Sequence, residues 1–161
     1  VISLRKSWRE KLADDKGLPR VERIDDRMRK TWGEGTFVIP APREVDALMR
    51  DVPCGKLTTI TCIRAALATH HGTTIACPLT TGIFAGIAAK AAAEAEEDEE
   101  VSITPYWRTL KSTGEINPKY PGGGQGQAKR LEEEGHAIIQ KGTRFFVENY
   151  EEDLFCEFEP K

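Results

Sequence analysis

The alanine-rich run from Thr81 to Ala95 constrains this chain more than any other segment. It contains no proline, and it reads as one long helix with Ile83, Phe84, Ile87 and Ala91 on its apolar side. Alanine is the best helix former. Small side chains also admit the close approach of a neighbouring backbone or of a groove wall. A helix of this kind sets the centre of a fold, and the shorter segments must arrange themselves around it.

Glycine and proline cut the rest of the chain into those shorter segments. Pro42 to Val52 forms a helix with proline in its first turn and Val45, Leu48, Met49 and Val52 on one face. Pro53 and Gly55 break it. Thr58 and Thr59 are placed to cap a third helix from Ile60 to about His70, with Ile63, Ala66 and Leu67 inward and Gly72 closing it. Residues 101–104 read as a short strand. The Gly/Pro-rich loop from Gly114 to Gly124 follows, then a helix from about Gln125 to Glu134 that ends at Gly135. Ala137–Gln140 and Thr143–Val147 flank Lys141-Gly142 as a two-residue hairpin.

At the other end, Val21, Ile24, Met28 and Trp32 fall at i, i+3, i+7 and i+11, one stripe of a helix. Residues 1–40 therefore read as a helical extension, residues 41–138 as the main domain, and 139–161 as a hairpin and tail packed on it. The stripe is expected to pack on that domain. The order of elements suggests an α+β winged helix, with the helices at 60 and 81 forming a loose helix-turn-helix.

No apolar run approaches the length of a membrane span, and the N-terminal residues lack the layout of a signal peptide, so the cytoplasm is the default expectation. A net charge of −3 sits awkwardly with nucleic-acid binding, which depends on phosphate contacts. The charge is unevenly spread. Residues 1–32 carry ten Lys/Arg against six Asp/Glu, whereas Glu94 to Glu100 holds six acidic residues in seven. Cys54, Cys62, Cys77 and Cys156 form no C-x-x-C pair, and free thiols are the simplest reading. A zinc site from Cys54, Cys62, Cys77 and His70 or His71 has loose spacing, so no metal is expected.

Four short motifs carry the functional signal. They are Val52-Pro53-Cys54-Gly55-Lys56-Leu57-Thr58-Thr59, Pro105-Tyr106-Trp107-Arg108, Tyr120-Pro121-Gly122-Gly123 and Leu131-Glu132-Glu133-Glu134-Gly135-His136. Each is weak alone. In this order and at these spacings they resemble the C-terminal domain of the O6-alkylguanine-DNA alkyltransferases, across about residues 42–138. That family carries Pro-Cys-His-Arg where this chain has Pro105-Tyr106-Trp107-Arg108. The acceptor cysteine position is Tyr106 and the histidine position is Trp107. Glu134 matches the glutamate that polarises that histidine.

The resemblance implies a fold that enters the DNA minor groove and swings a damaged base into a pocket. It implies a lesion pocket of Pro105, Tyr106, Trp107, Tyr120, Pro121, Gly122 and Ile60. Thr80, Thr81, Gly82, Phe84, Lys90 and Arg108 are implied as DNA contacts, and Glu134 as structural. The family's flipping tyrosine falls on Ile60 and its inserted arginine near Thr81, both departures. With thiol and imidazole gone, alkyl transfer by the usual route is not expected. No cofactor is implied. The pattern is similar to the alkyltransferase-like proteins, which bind alkylated guanine in double-stranded DNA for a repair protein to process.

Tyr106 and Trp107 either offer a stacking surface to a flipped base or plug the old pocket. If they receive a base, an aromatic face should be open to solvent. Two other classes stand beside this reading. One is a repurposed fold that binds a protein partner through the same face. The other is a weak thiol enzyme using Cys77, which needs an exposed thiol within reach of His70 or His71.

Overall fold

The computed structural model describes residues 6–158. Helix α5 (Pro78–Glu97) is indeed the centre, and it is longer at both ends than the alanine run. Its Ala85, Ala88, Ala89, Ala91, Ala92 and Ala95 are all buried. Two helices lie against that small-residue surface: α3 (Pro42–Arg50), through Val45 and Met49, and the short α1 (Trp8–Ala13). The close approach that alanine permits is therefore used for internal packing along most of α5.

Helix α4 (Ile60–His71) starts at Thr59, whose hydroxyl accepts the Cys62 amide at 3.2 Å, and ends at Gly72 with φ of 66°. That left-handed cap is why the chain turns at a glycine there. Helix α6 (Gly123–Glu133) follows the glycine loop. A Cβ at Gly124 would come within 2.5 Å of the Phe145 ring, so the C-terminal hairpin, β6 (Ile138–Lys141) and β7 (Arg144–Val147), seats on the start of α6 only because residue 124 has no side chain.

Among the described residues, three small sheets complete an α+β fold. Strands β1 (Arg20–Arg23) and β2 (Thr36–Ile39) pair antiparallel, and β2 pairs parallel with β4 (Ile75–Ala76). Strand β3 (Thr58–Thr59) pairs parallel with β5 (Thr109–Leu110). Most of the buried residues form one core that includes Leu57, Ile63, Leu67, Leu110 and Leu131. A satellite joins Ile24, Phe37 and Cys77 to Met28, Trp32 and Ile75. Among the described residues no helix is long and apolar enough to cross a membrane.

Four expectations are corrected. The stripe from Val21 to Trp32 is not one helix: Val21 lies on β1 and is 49% exposed, and the helix α2 (Asp26–Trp32) begins only after its cap, Asp25. Pairing with β2 overrides the helical period, and residues 6–40 are helix and strand together. Residues 101–104 form no strand. Val101 is 99% exposed, and the segment is anchored by Ile103 against the core and by the Thr104 hydroxyl, which donates to Asp46 at 2.6 Å. The motif strand is β5, after the motif, because β3 lies there to pair with it.

The hairpin loop is Gly142-Thr143, one residue later than expected, since Lys141 pairs with Arg144. The four cysteines are not all free: Cys62 of α4 is joined to Cys156 of the tail, with Cα atoms 5.0 Å apart, leaving Cys54 exposed and Cys77 buried as thiols. Backbone pairing supports the same tail, as Leu57 donates to Asp153 at 2.9 Å and accepts from Phe155 at 2.6 Å.

Candidate functional site

Three of the four motifs meet around one carboxylate, and the fourth reaches the same region through Tyr120, whose ring meets that of Tyr106. Residues 106–108 form a single 3-10 turn, which aims Trp107 and Arg108 at the C-terminal end of α6. There the Trp107 indole N–H donates to Glu134 Oε2 at 2.7 Å. Arg108 forks onto both oxygens, Nε to Oε1 and Nη2 to Oε2, each at 2.9 Å. Arg108 Nη1 also donates to the Val52 carbonyl at 2.8 Å, tying in the first motif. Burial by itself raises the Glu134 carboxyl. The hydrogen bonds from Arg108 and Trp107, helped by the Gly55 amide, outweigh it and leave the acid below its usual range.

Behind this network lies an aromatic corner. The Tyr106 ring meets Trp107 edge-on at 5.2 Å between centroids and Tyr120 at 6.4 Å. Arg130 of α6 lies 4.4 Å from the Trp107 ring and is held from the other side by Glu96. Tyr106 is 3% exposed, Trp107 8% and Tyr120 4%. All three belong to the main core, and Ile60 packs against it. Pro105 is buried, Pro121 half-buried, and Gly122 exposed with φ of 83° at the start of α6. Burial raises the Tyr106 and Tyr120 phenols above their ordinary value.

The expectation of an open aromatic face is therefore corrected. The residues of the expected pocket stand around a corner that Tyr106 fills. A phenol in an apolar site stays protonated and keeps its ring against Trp107 and Tyr120.

The expected DNA contacts divide. Gly82 is exposed and Thr80 half-buried at the start of α5, as a docking helix requires. Thr81 is fully buried, its hydroxyl donating to the Cys77 carbonyl at 2.7 Å, and Phe84 is in the core. Neither reaches outward, because the helix needs that face for packing. Lys90 lies 4.4 Å from the Trp8 ring, under α1, and Arg108 is turned inward onto Glu134 and Val52. Those two cations are occupied within the protein.

The sequence reading placed Ile83 on the apolar side of the helix, which its exposure corrects, and did not single out Leu79. Leu79 and Ile83 are 71% and 49% exposed, one turn apart, with Gly82 between them. Their signal was present as large apolar residues on a helix whose inward positions were already filled.

The remaining candidates are settled by burial. Cys77 packs with Ile24 and Phe37, so the exposed thiol that a Cys77 enzyme needs is missing. His71 faces Glu44 instead, with Nε2 2.5 Å from Oε2. Glu44, from the first turn of α3, is a residue the sequence reading did not connect with the histidines.

No family model matches this chain, and none of the curated proteins matches it. Two solved structures do. One is the S. pombe protein Atl1 in complex with damaged DNA containing O6-carboxymethylguanine, at 24% identity and a TM-score of 0.46, covering 71% of this chain and 93% of that one. The other is S. pombe ATL in complex with DNA, at 24% identity and a TM-score of 0.45, with the same coverage. Similarity this low leaves function to be argued from the residues themselves.

Proposed function

We propose that the chain is an alkyltransferase-like winged-helix protein that binds duplex DNA through the start of α5 and transfers no alkyl group. In this reading α4 and α5 are the helix-turn-helix and the β6–β7 hairpin is the wing. The observation that carries it is the exposed Leu79–Gly82–Ile83 surface on the first two turns of α5. Minor-groove proteins insert apolar wedges such as leucine or isoleucine between base steps. A glycine between two such wedges lets the helix backbone approach the groove wall. The meeting of three motifs at Glu134, with Tyr120 of the fourth against Tyr106, supports the same reading, because it brings the elements of the resemblance into one place.

Alkylated guanine is the proposed target, read at the corner of Tyr106, Trp107, Tyr120, Pro121 and Ile60. Entry of a base there requires the Tyr106 ring to swing aside and stack on it. A repair protein that takes over the bound lesion belongs to the same proposal.

The test is fluorescence anisotropy on matched duplexes with and without O6-methylguanine, over a salt series. Binding should favour the lesion and weaken as salt rises through counterion release. Replacing both Leu79 and Ile83 by serine should weaken binding to both duplexes at least tenfold without unfolding the protein. Very weak, salt-insensitive and equal binding to both duplexes would overturn the proposal.

A second reading draws on the same patch. No residue from Cys77 to Ala89 is basic, and an uncharged apolar surface also suits a protein partner. Retained partner capture with no DNA binding would decide for it.

A further inference from the structure

We propose that Glu44, His70 and His71 form a zinc site at the junction of α3 and α4. One ligand atom from each lies within 4.8 Å of the others. The site is separate from the aromatic corner and from the start of α5, and does not depend on the DNA reading.

Three features prepare it. Glu44 Oε1 accepts the Ala41 amide at 3.0 Å, which fixes the carboxylate and leaves Oε2 to face the histidines. His71 Nε2 is already 2.5 Å from that oxygen. Both histidines occupy the last turn of α4, where the free carbonyl ends of the helix favour a cation. The two rings stand edge to face with centroids 4.9 Å apart, so their nitrogens can converge without stacking.

The donor set selects the ion. Two imidazoles and one carboxylate suit zinc, whereas magnesium and calcium take oxygen ligands. Tetrahedral donors about 2.1 Å from zinc lie about 3.4 Å apart. The widest separation therefore closes by up to about an ångström and a half, through rotation of the exposed His70 side chain, while the His71–Glu44 pair opens by about an ångström. Zinc would replace the proton shared by His71 and Glu44, so the pair that now ties α3 to α4 becomes two ligands of one ion.

Three protein ligands leave the fourth position open, the arrangement of zinc sites that take a water or an outside donor. Glu44 and His70 both line a cavity of about 800 Å³, whose wall includes Leu18, Leu48, Leu67 and Phe158. The open position would face this apolar space.

The experiment uses the full chain without an affinity tag. Isothermal titration with Zn²⁺ should give one equivalent, which a large excess of Mg²⁺ does not displace. Cobalt substitution should give a tetrahedral visible spectrum without thiolate charge-transfer bands. His70→Ala, an exposed position, should keep the fold and weaken zinc at least tenfold. His71→Ala should do the same, and Cys54→Ser should leave binding unchanged.

As a readout free of mutation, zinc should protect His70 and His71 from carbethoxylation, mapped by mass spectrometry. Thiolate bands in the cobalt form, loss of binding in Cys54→Ser, undiminished binding in His70→Ala, or no stoichiometric zinc at all would each overturn the proposal.

Discussion

Trp107 hydrogen-bonds Glu134 through its indole N–H, Nε1 to Oε2, at 2.7 Å. Here an indole supplies the donor to a carboxylate that Arg108 also holds. An indole donates but cannot accept, so the pair can position a side chain and cannot relay a proton.

Trp107→Phe deletes that donor while keeping a ring. Arg108 still covers both oxygens of Glu134, so the carboxylate is not stranded. The expected loss is about 1.5–3 kcal/mol, the contribution of a hydrogen bond to a charged group. Urea unfolding of the two proteins measures it, and a loss below about 0.5 kcal/mol would remove the indole from the network.

Acid should weaken the same network. Glu134 titrates below an ordinary carboxyl when folded, so its contribution is complete above the unfolded pKa of about 4.3 and is lost as pH falls through the folded value. Glu134→Gln should cost about 3 kcal/mol at neutral pH, because it leaves the largely buried Arg108 without its charge partner. The gap between wild type and variant should hold from neutrality down to about pH 5, then narrow on further acidification. Denaturant midpoints across that range give the curve. A gap that widens in acid would contradict the assigned direction.

Incubation with radiolabelled methylated DNA should leave no label on the protein. Burial holds the Tyr106 phenol protonated, and a protonated phenol is a poor nucleophile. Tyr106→Cys should remain inactive too, since Trp107 cannot lower a thiol's pKa as an imidazole would. The double variant Tyr106→Cys with Trp107→His restores both positions beside Glu134 and is the one expected to accept label.

Tyr106→Ala separates the two roles of the ring. Truncating a buried aromatic costs about 3–5 kcal/mol of stability. If the ring also stacks on an extruded base, lesion affinity should fall by about 1–3 kcal/mol at a temperature where the variant is fully folded. Thermal melts and anisotropy on the same preparation give both numbers. A stability loss with unchanged lesion affinity would leave Tyr106 as a plug alone.

Local chemistry made much of this fold legible. Thr59, Pro42, Gly72 and Gly135 mark helix ends by capping and backbone preference, so α3, α4, α5 and α6 stood out within a few residues. Pairing between distant segments was not legible. Val21 to Trp32 carries a helical period, yet Arg20 to Arg23 becomes strand because Thr36 to Ile39 offers it a ladder. Nothing local joins Cys62 to Cys156 or brings Glu44 to His71.

The site was legible as motifs but not as surface. Collinear residues did meet at Glu134, while the sign of each exposure depended on packing. Thr81, Phe84 and Lys90 turned inward because α5 is enclosed on more sides than a sequence pattern can reveal.

Helix α1 carries a consequence of its own. None of its side chains is fully buried; Leu12 packs against the core, and the rest of its hold on α5 is polar: Glu94 accepts the Trp8 and Arg9 amides, Arg9 pairs with Asp98, and Trp8 covers Lys90. Such contacts weaken with ionic strength, whereas the alanine seam beneath does not. The six residues act as a removable cover, and the amides of α1 should exchange with solvent long before those of α5. Undocking would return a lysine to the surface of a helix that otherwise meets solvent through uncharged residues at its start and acids at its end. Rising salt should therefore increase the positive charge that the central helix displays.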